Sequence, residues 1–162
     1  MARFIVLFLI FLNFSFANSL GLTKTDLVIL NKIKSLADEP IMKYSLMAIA
    51  IKESSVGKNM ANFSSNDFGL FQSNIKTVLS RQYIKDIPQN RKYYALKLMN
   101  DVGFATANAI IELEYWREVH KDNWIKIWSS YNTGFSYRSD TGYLYAKSIL
   151  EITKKLKQEY GL

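Results

Sequence analysis

Glu53 is the side chain in this sequence most suited to acid–base chemistry. It follows the apolar run Ala48-Ile49-Ala50-Ile51, with only Lys52 between. A carboxyl at the C-terminal end of a buried helix loses hydration and faces the helix's negative pole. Both effects disfavour the anion and raise the pKa. An acid still protonated near neutral pH is what breaking a glycosidic bond demands of a general acid. The plain alternative is a surface Glu that ends an amphipathic helix. Other polar clusters follow: Ser54-Ser55 directly after the acid, Asp67-Phe68-Gly69-Leu70-Phe71-Gln72, Ser130-Tyr131-Asn132-Thr133-Gly134, and Tyr145 near the end. Rival chemistries have little to work with. The chain has no cysteine, hence no thiol nucleophile, disulfide or Cys-rich zinc site. His120 is the only histidine, and it has neither a partner nucleophile nor carboxylates at metal-ligand spacing. It is expected to be a surface or capping residue. Neither a metal nor a cofactor is expected.

The residues that must position these groups read as helices joined by short connections. Thr23 or Thr25 can cap a helix with Leu27, Leu30, Ile33 and Leu36 along one side. Asp38-Glu39-Pro40 ends it and opens a nearly all-apolar helix over 41–54, placed at the core. Residues 55–72, rich in Gly, Asn, Ser and Asp, form a long loop with room for a short β-hairpin near 61–72. A short helix is predicted over 74–83 and another from Pro88 to about Asn100. Then come 101–118 capped by Asp101, 123–131 capped by Asp122, and a last helix from Ser139 or Asp140 to about Tyr160. Trp116, Trp124 and Trp128 recur at helical spacing and are expected in the core rather than against a ligand. Tyr93, Tyr94 and Tyr137 are candidates to line a groove. The result is one mainly α-helical domain.

At 162 residues, 49% apolar and 22% charged, the chain is sized for one domain with a substantial core. Only 7 Gly and 2 Pro exclude a disordered or linker-dominated protein. A net charge of +7 favours anionic partners. Residues 1–17 carry Arg3, the apolar run Phe4–Leu12, and small Ser15 and Ala17 at cleavage positions before Asn18. This is the layout of a secretory signal peptide, too short for a bilayer span of about 20 residues. The expectation is an exported chain over 18–162, periplasmic and without a stable membrane anchor after cleavage. Export displaces nucleic acid as the natural anion, and the cell wall with its peptide carboxylates takes its place. Lys154, Lys155 and Lys157 read as the solvated end of the last helix.

In this order, Glu53-Ser54, Gly69-Leu70-Phe71-Gln72, Ser130-Tyr131-Asn132-Thr133-Gly134 and Tyr145 resemble the signature of the lytic transglycosylases of the lysozyme-like superfamily. The likeness spans roughly residues 41–152. Asp67-Phe68-Gly69-Leu70-Phe71-Gln72 looks most like the small members that accompany secretion and conjugation machinery. The resemblance implies a lysozyme-like helical domain acting on peptidoglycan glycan strands, with a secretion or conjugation apparatus as a further partner. It implies cleavage of the β-1,4 bond between N-acetylmuramic acid and N-acetylglucosamine, leaving a 1,6-anhydromuramoyl end. Glu53 matches the sole catalytic acid. Ser54, Gln72, Tyr131, Asn132 and Tyr145 match residues that shape the site or bind the sugars, Gly69 allows a close backbone approach in the cleft, and Gly134 reads equally as a left-handed helix stop. Two positions depart from the pattern: Ser130 replaces the usual Ala, and Asn62 stands where many members have a serine. Asp67 corresponds to the second carboxylate of animal lysozymes, which makes hydrolysis with Glu53 and Asp67 the chemical alternative. Asp67 as a turn-shaping residue is the reading preferred here. The rival classes are a non-catalytic wall-binding assembly protein and a basic exported protein bound to acidic lipid.

Overall fold

A computed structural model of the protein describes residues 19–162, so the signal peptide expected over 1–17 lies outside the described residues. Thr23 opens helix α1 (Lys24–Lys34) with a reciprocal cap. Its hydroxyl accepts from the Asp26 amide, and the Asp26 carboxylate accepts from the Thr23 amide. Pro40 starts α2 (Pro40–Ser54), whose residues Leu46 to Ala50 are wholly buried. A helix this apolar on every side belongs inside a core. It packs against α1, α5 (Val102–His120) and α7 (Asp140–Glu159), and the Trp128 indole of α6 (Trp124–Thr133) donates to Ser45 Oγ at 2.9 Å.

The polar stretch after α2 builds more than the expected hairpin. Three two-residue strands, β1 (Ala61–Asn62), β2 (Asp67–Phe68) and β3 (Ser73–Asn74), form an antiparallel sheet in the order β1-β2-β3. Asp67 lies opposite Asn62 on one side and Asn74 on the other. Because successive strand residues face opposite ways, Phe68 is buried in the core while Asp67 lines a cavity. Gly69 follows at φ +83°, and a Cβ there would lie 2.4 Å from the Leu98 carbonyl of α4 (Pro88–Asn100). Its close approach is therefore to a neighbouring helix, not to the cleft as expected. The short helix α3 (Ile75–Arg81) links the sheet to α4.

The helices otherwise fall within a few residues of expectation, and among the described residues none is long and apolar enough to cross a membrane. The cap of α6 is Asn123, which accepts from the Lys126 amide; Asp122 sits at positive φ and pairs with Arg117 instead. Gly134 has φ 59° and ψ −133°, outside the left-handed helical region, and starts a short 3-10 turn rather than forming an αL stop. Trp116 and Trp128 are core residues, with Trp124 partly buried beside Trp128. His120 is the last residue of α5 and is partly exposed, in keeping with a helix-end position. It stacks on Trp116 and places Nε2 2.8 Å from Ser130 Oγ.

Candidate active site

α2 carries Glu53 to the edge of a cavity of about 250 Å³. The wall opposite is made by the sheet (Asp67, Asn74), the turn at Gln72, α3, α5 and the last turn of α6 (Tyr131, Asn132). Residues distant in sequence thus meet because α2 crosses the core while the sheet folds back over its C-terminal end.

Ser54 makes that fold-back possible. It is fully buried, and its hydroxyl lies 3.1 Å from the Ala50 carbonyl and 2.9 Å from the Leu70 carbonyl while accepting the Gly57 amide at 2.9 Å. Ser55 and Val56 continue in left-handed geometry, and the Val56 amide returns to the Ala50 carbonyl. Ser54 therefore fastens the turn between β2 and β3 to the helix end. It does not reach the cavity, so its placement is that of a structural residue rather than a substrate ligand.

Glu53 is half-buried, and Tyr145 of α7 donates its phenol to Glu53 Oε1 at 2.6 Å. Burial is the largest influence on this carboxyl and pushes it above its ordinary value. The Asp67 charge adds to the rise, while the Tyr145 hydrogen bond and Lys52 pull the other way. Tyr145 is buried behind the acid rather than in the cavity wall. Its phenol is held well above the usual range, first by burial and then by the Glu53 charge, which fixes it as a donor. Tyr131 lines the cavity, donates to the Phe71 carbonyl at 3.0 Å, and is likewise held protonated by burial.

Gln72 and Asn132 both line the cavity. Gln72 sits at φ 48°, and its amide nitrogen donates to the Gly69 carbonyl at 2.9 Å and the Asn59 carbonyl at 3.2 Å. Two carbonyl partners fix the orientation of the amide, leaving its oxygen as the end a ligand can use. Asn132 is exposed at the rim. Asp67 shares the cavity with Glu53 and accepts from Asn74 Nδ2 at 2.9 Å, a bond within the sheet. Tyr93, Tyr94 and Tyr137 are not among the lining residues.

One charged pair in the cavity wall has no signature in the sequence. Arg81, the last residue of α3, and Glu112 of α5 form an ion pair in the cavity wall. Their separation in the chain gives no periodic or motif signal, so only folding reveals them as partners.

A mainly helical domain with a small antiparallel sheet, and one desolvated acid beside that sheet, is the architecture of a lysozyme-like domain. Residues 31–150 match the family model of the transglycosylase SLT domain, and the chain belongs to this lytic transglycosylase family. It is also similar to an uncharacterized 20.7 kDa protein of the vs-regB intergenic region of Enterobacteria phage T4, with 32% identity over 114 residues. That match covers 69% of this chain and spans 61% of the phage protein's length. No solved structure matches the chain.

Proposed function

We propose that the protein cleaves the β-1,4 bond between N-acetylmuramic acid and N-acetylglucosamine in peptidoglycan by intramolecular transglycosylation. The observation that carries this reading is Glu53, an acid pushed up by burial, accepting a hydrogen bond from the Tyr145 phenol and facing a cavity. Glu53 gives its proton to the glycosidic oxygen as the bond to muramoyl C1 breaks. The resulting carboxylate takes the proton from the C6 hydroxyl as O6 bonds to C1. Glu53 ends protonated again, no water is consumed, and the products are a 1,6-anhydromuramoyl end and a free N-acetylglucosamine hydroxyl. One acid suffices because the nucleophile belongs to the substrate, whereas most glycosidases need two carboxyls. Tyr145 stabilises the carboxylate formed midway. The Gln72 oxygen and the Asn132 amide are suited to the N-acetyl groups.

Hydrolysis is the second reading, because Asp67 lines the same cavity as Glu53. Digesting peptidoglycan with the purified chain in ¹⁸O-water and weighing the products separates the two. Anhydro ends without ¹⁸O support transglycosylation; reducing ends carrying ¹⁸O refute it. Glu53→Gln should abolish release, since a general acid contributes on the order of 10²–10⁴-fold. The leader-like residues 1–17 support export and action on the periplasmic wall, and opening the wall locally for a secretion or conjugation apparatus is the role such a small domain would fill.

A further inference from the structure

The proposed reaction uses Glu53 and sugar-binding amides, and leaves the Arg81–Glu112 pair in the same cavity without a task. Both side chains are largely shielded, at 22% and 26% exposure. An ion pair is a poor choice for filling a wall, because apolar side chains of similar shape usually stabilise as well or better. Its construction is that of a receptor. Glu112 accepts from Arg81 on Oε2 and from the Trp116 indole on Oε1 at 2.6 Å, so both oxygens are engaged. Arg81 is gripped from a second side by the Asn108 carbonyl, 3.4 Å from Nη1. A guanidinium carries more N–H donors than these two partners use. Held rigid on two sides, it offers the remainder to an acceptor as a preorganised fork. Among the described residues lining the cavity it is the only cation.

The substrate must supply a group that a guanidinium prefers. N-acetyl groups occur on both sugars of the strand and are served by neutral amides. The lactyl arm at O3 occurs on muramic acid alone, and its acyl oxygens are strong acceptors as an amide to the stem peptide or as a free carboxylate. Muramic acid is also the sugar whose C1 and O6 react, so it must lie beside Glu53. Resting on the transglycosylase reading, we infer that Arg81, held by Glu112 and the Asn108 carbonyl, is a specificity-determining residue that binds the acyl oxygens of the muramoyl lactyl arm and so sets which glycosidic bond meets Glu53.

Equilibrium binding tests this without turnover, in a Glu53→Gln background. Three probes of equal length are compared: peptide-bearing strands, the same strands stripped by an amidase to the free lactyl carboxylate, and a chito-oligosaccharide without lactyl groups. Arg81→Gln should weaken binding of both muramoyl probes at least tenfold and of the chito-oligosaccharide less than threefold. Arg81→Lys, which keeps the charge but not the fork, should fall between. Arg81→Gln/Glu112→Gln, which leaves no stranded carboxylate, should show the same selectivity. Equal weakening of all three probes, or of none, overturns the inference, and loss confined to the peptide-bearing probe moves the contact to the stem peptide and also overturns it. Failure of the transglycosylase reading would appear separately, as wild-type chain that releases no anhydro ends while the binding comparison stays readable.

Discussion

Tyr145→Phe isolates the hydrogen bond that holds the acid. The substitution keeps the buried ring and removes only the hydroxyl that donates to Glu53 Oε1 at 2.6 Å. That bond favours the carboxylate over the acid, opposing the effect of burial. Without it the Glu53 pKa rises further, because a stabiliser of the charged form has gone. A hydrogen bond to a charged group contributes about 1.5–3 kcal/mol. If it is realised as the proton leaves Glu53, its loss slows turnover by roughly 10- to 150-fold. The reacting form is the protonated acid, so the alkaline limb of the activity–pH profile should move to higher pH as the maximum falls. Release of anhydro-muropeptides from purified sacculi, measured across the pH range on wild type and variant, gives both quantities. An alkaline limb that stays in place or moves to lower pH, or a maximum unchanged within twofold, would refute the role assigned to Tyr145.

Glu53→Gln should melt above wild type at neutral pH. Burial makes the folded chain hold the Glu53 proton more tightly than the unfolded chain does. That contribution to stability is complete below the ordinary carboxylate pKa and is lost as pH rises through the raised folded value. Since Gln cannot ionise, a melting difference that does not grow with pH across this window would count against a desolvated acid. Ser54→Ala removes a buried hydroxyl bonded to the backbone on both sides of the fold-back, which should cost about 1–3 kcal/mol in denaturant unfolding. Any affinity lost should be recovered on cooling, and a raised KM in a fully folded Ser54→Ala chain would restore a binding role. Gly69→Ala forces a Cβ to 2.4 Å from the Leu98 carbonyl at positive φ, and should destabilise by at least about 2 kcal/mol in thermal melts. A chain with Gly69→Ala that melts with wild type would mean the sheet does not seat on α4 as described.

The helices were legible because their signals are local. Pro40 and Pro88 at first turns, the Thr23, Asp101 and Ser139 caps, and the all-apolar stretch before Glu53 each act within a turn or two of chain. The acid itself was legible for the same reason: burial of the preceding residues is written in their side chains. The sheet was only half legible, since two-residue strands are too short for an alternating pattern, and β3 exists through pairing with β2. The His120 ring stacks on Trp116 one turn earlier in the same helix, a local pairing, whereas its contact with Ser130 joins α5 to α6 and arises only from packing.

Residue types and their spacing set a helical domain, the seat of a desolvated carboxyl at residue 53, and the order of motifs that carries its family. Tertiary structure decided which side chains serve that carboxyl. It set Tyr145 behind the acid, turned Ser54 away into the backbone, and closed the cavity with the Arg81–Glu112 pair. Propensity and capping act between near neighbours, whereas the cavity is formed by side chains from six separate elements whose approach depends on how α2, the sheet and α7 pack together.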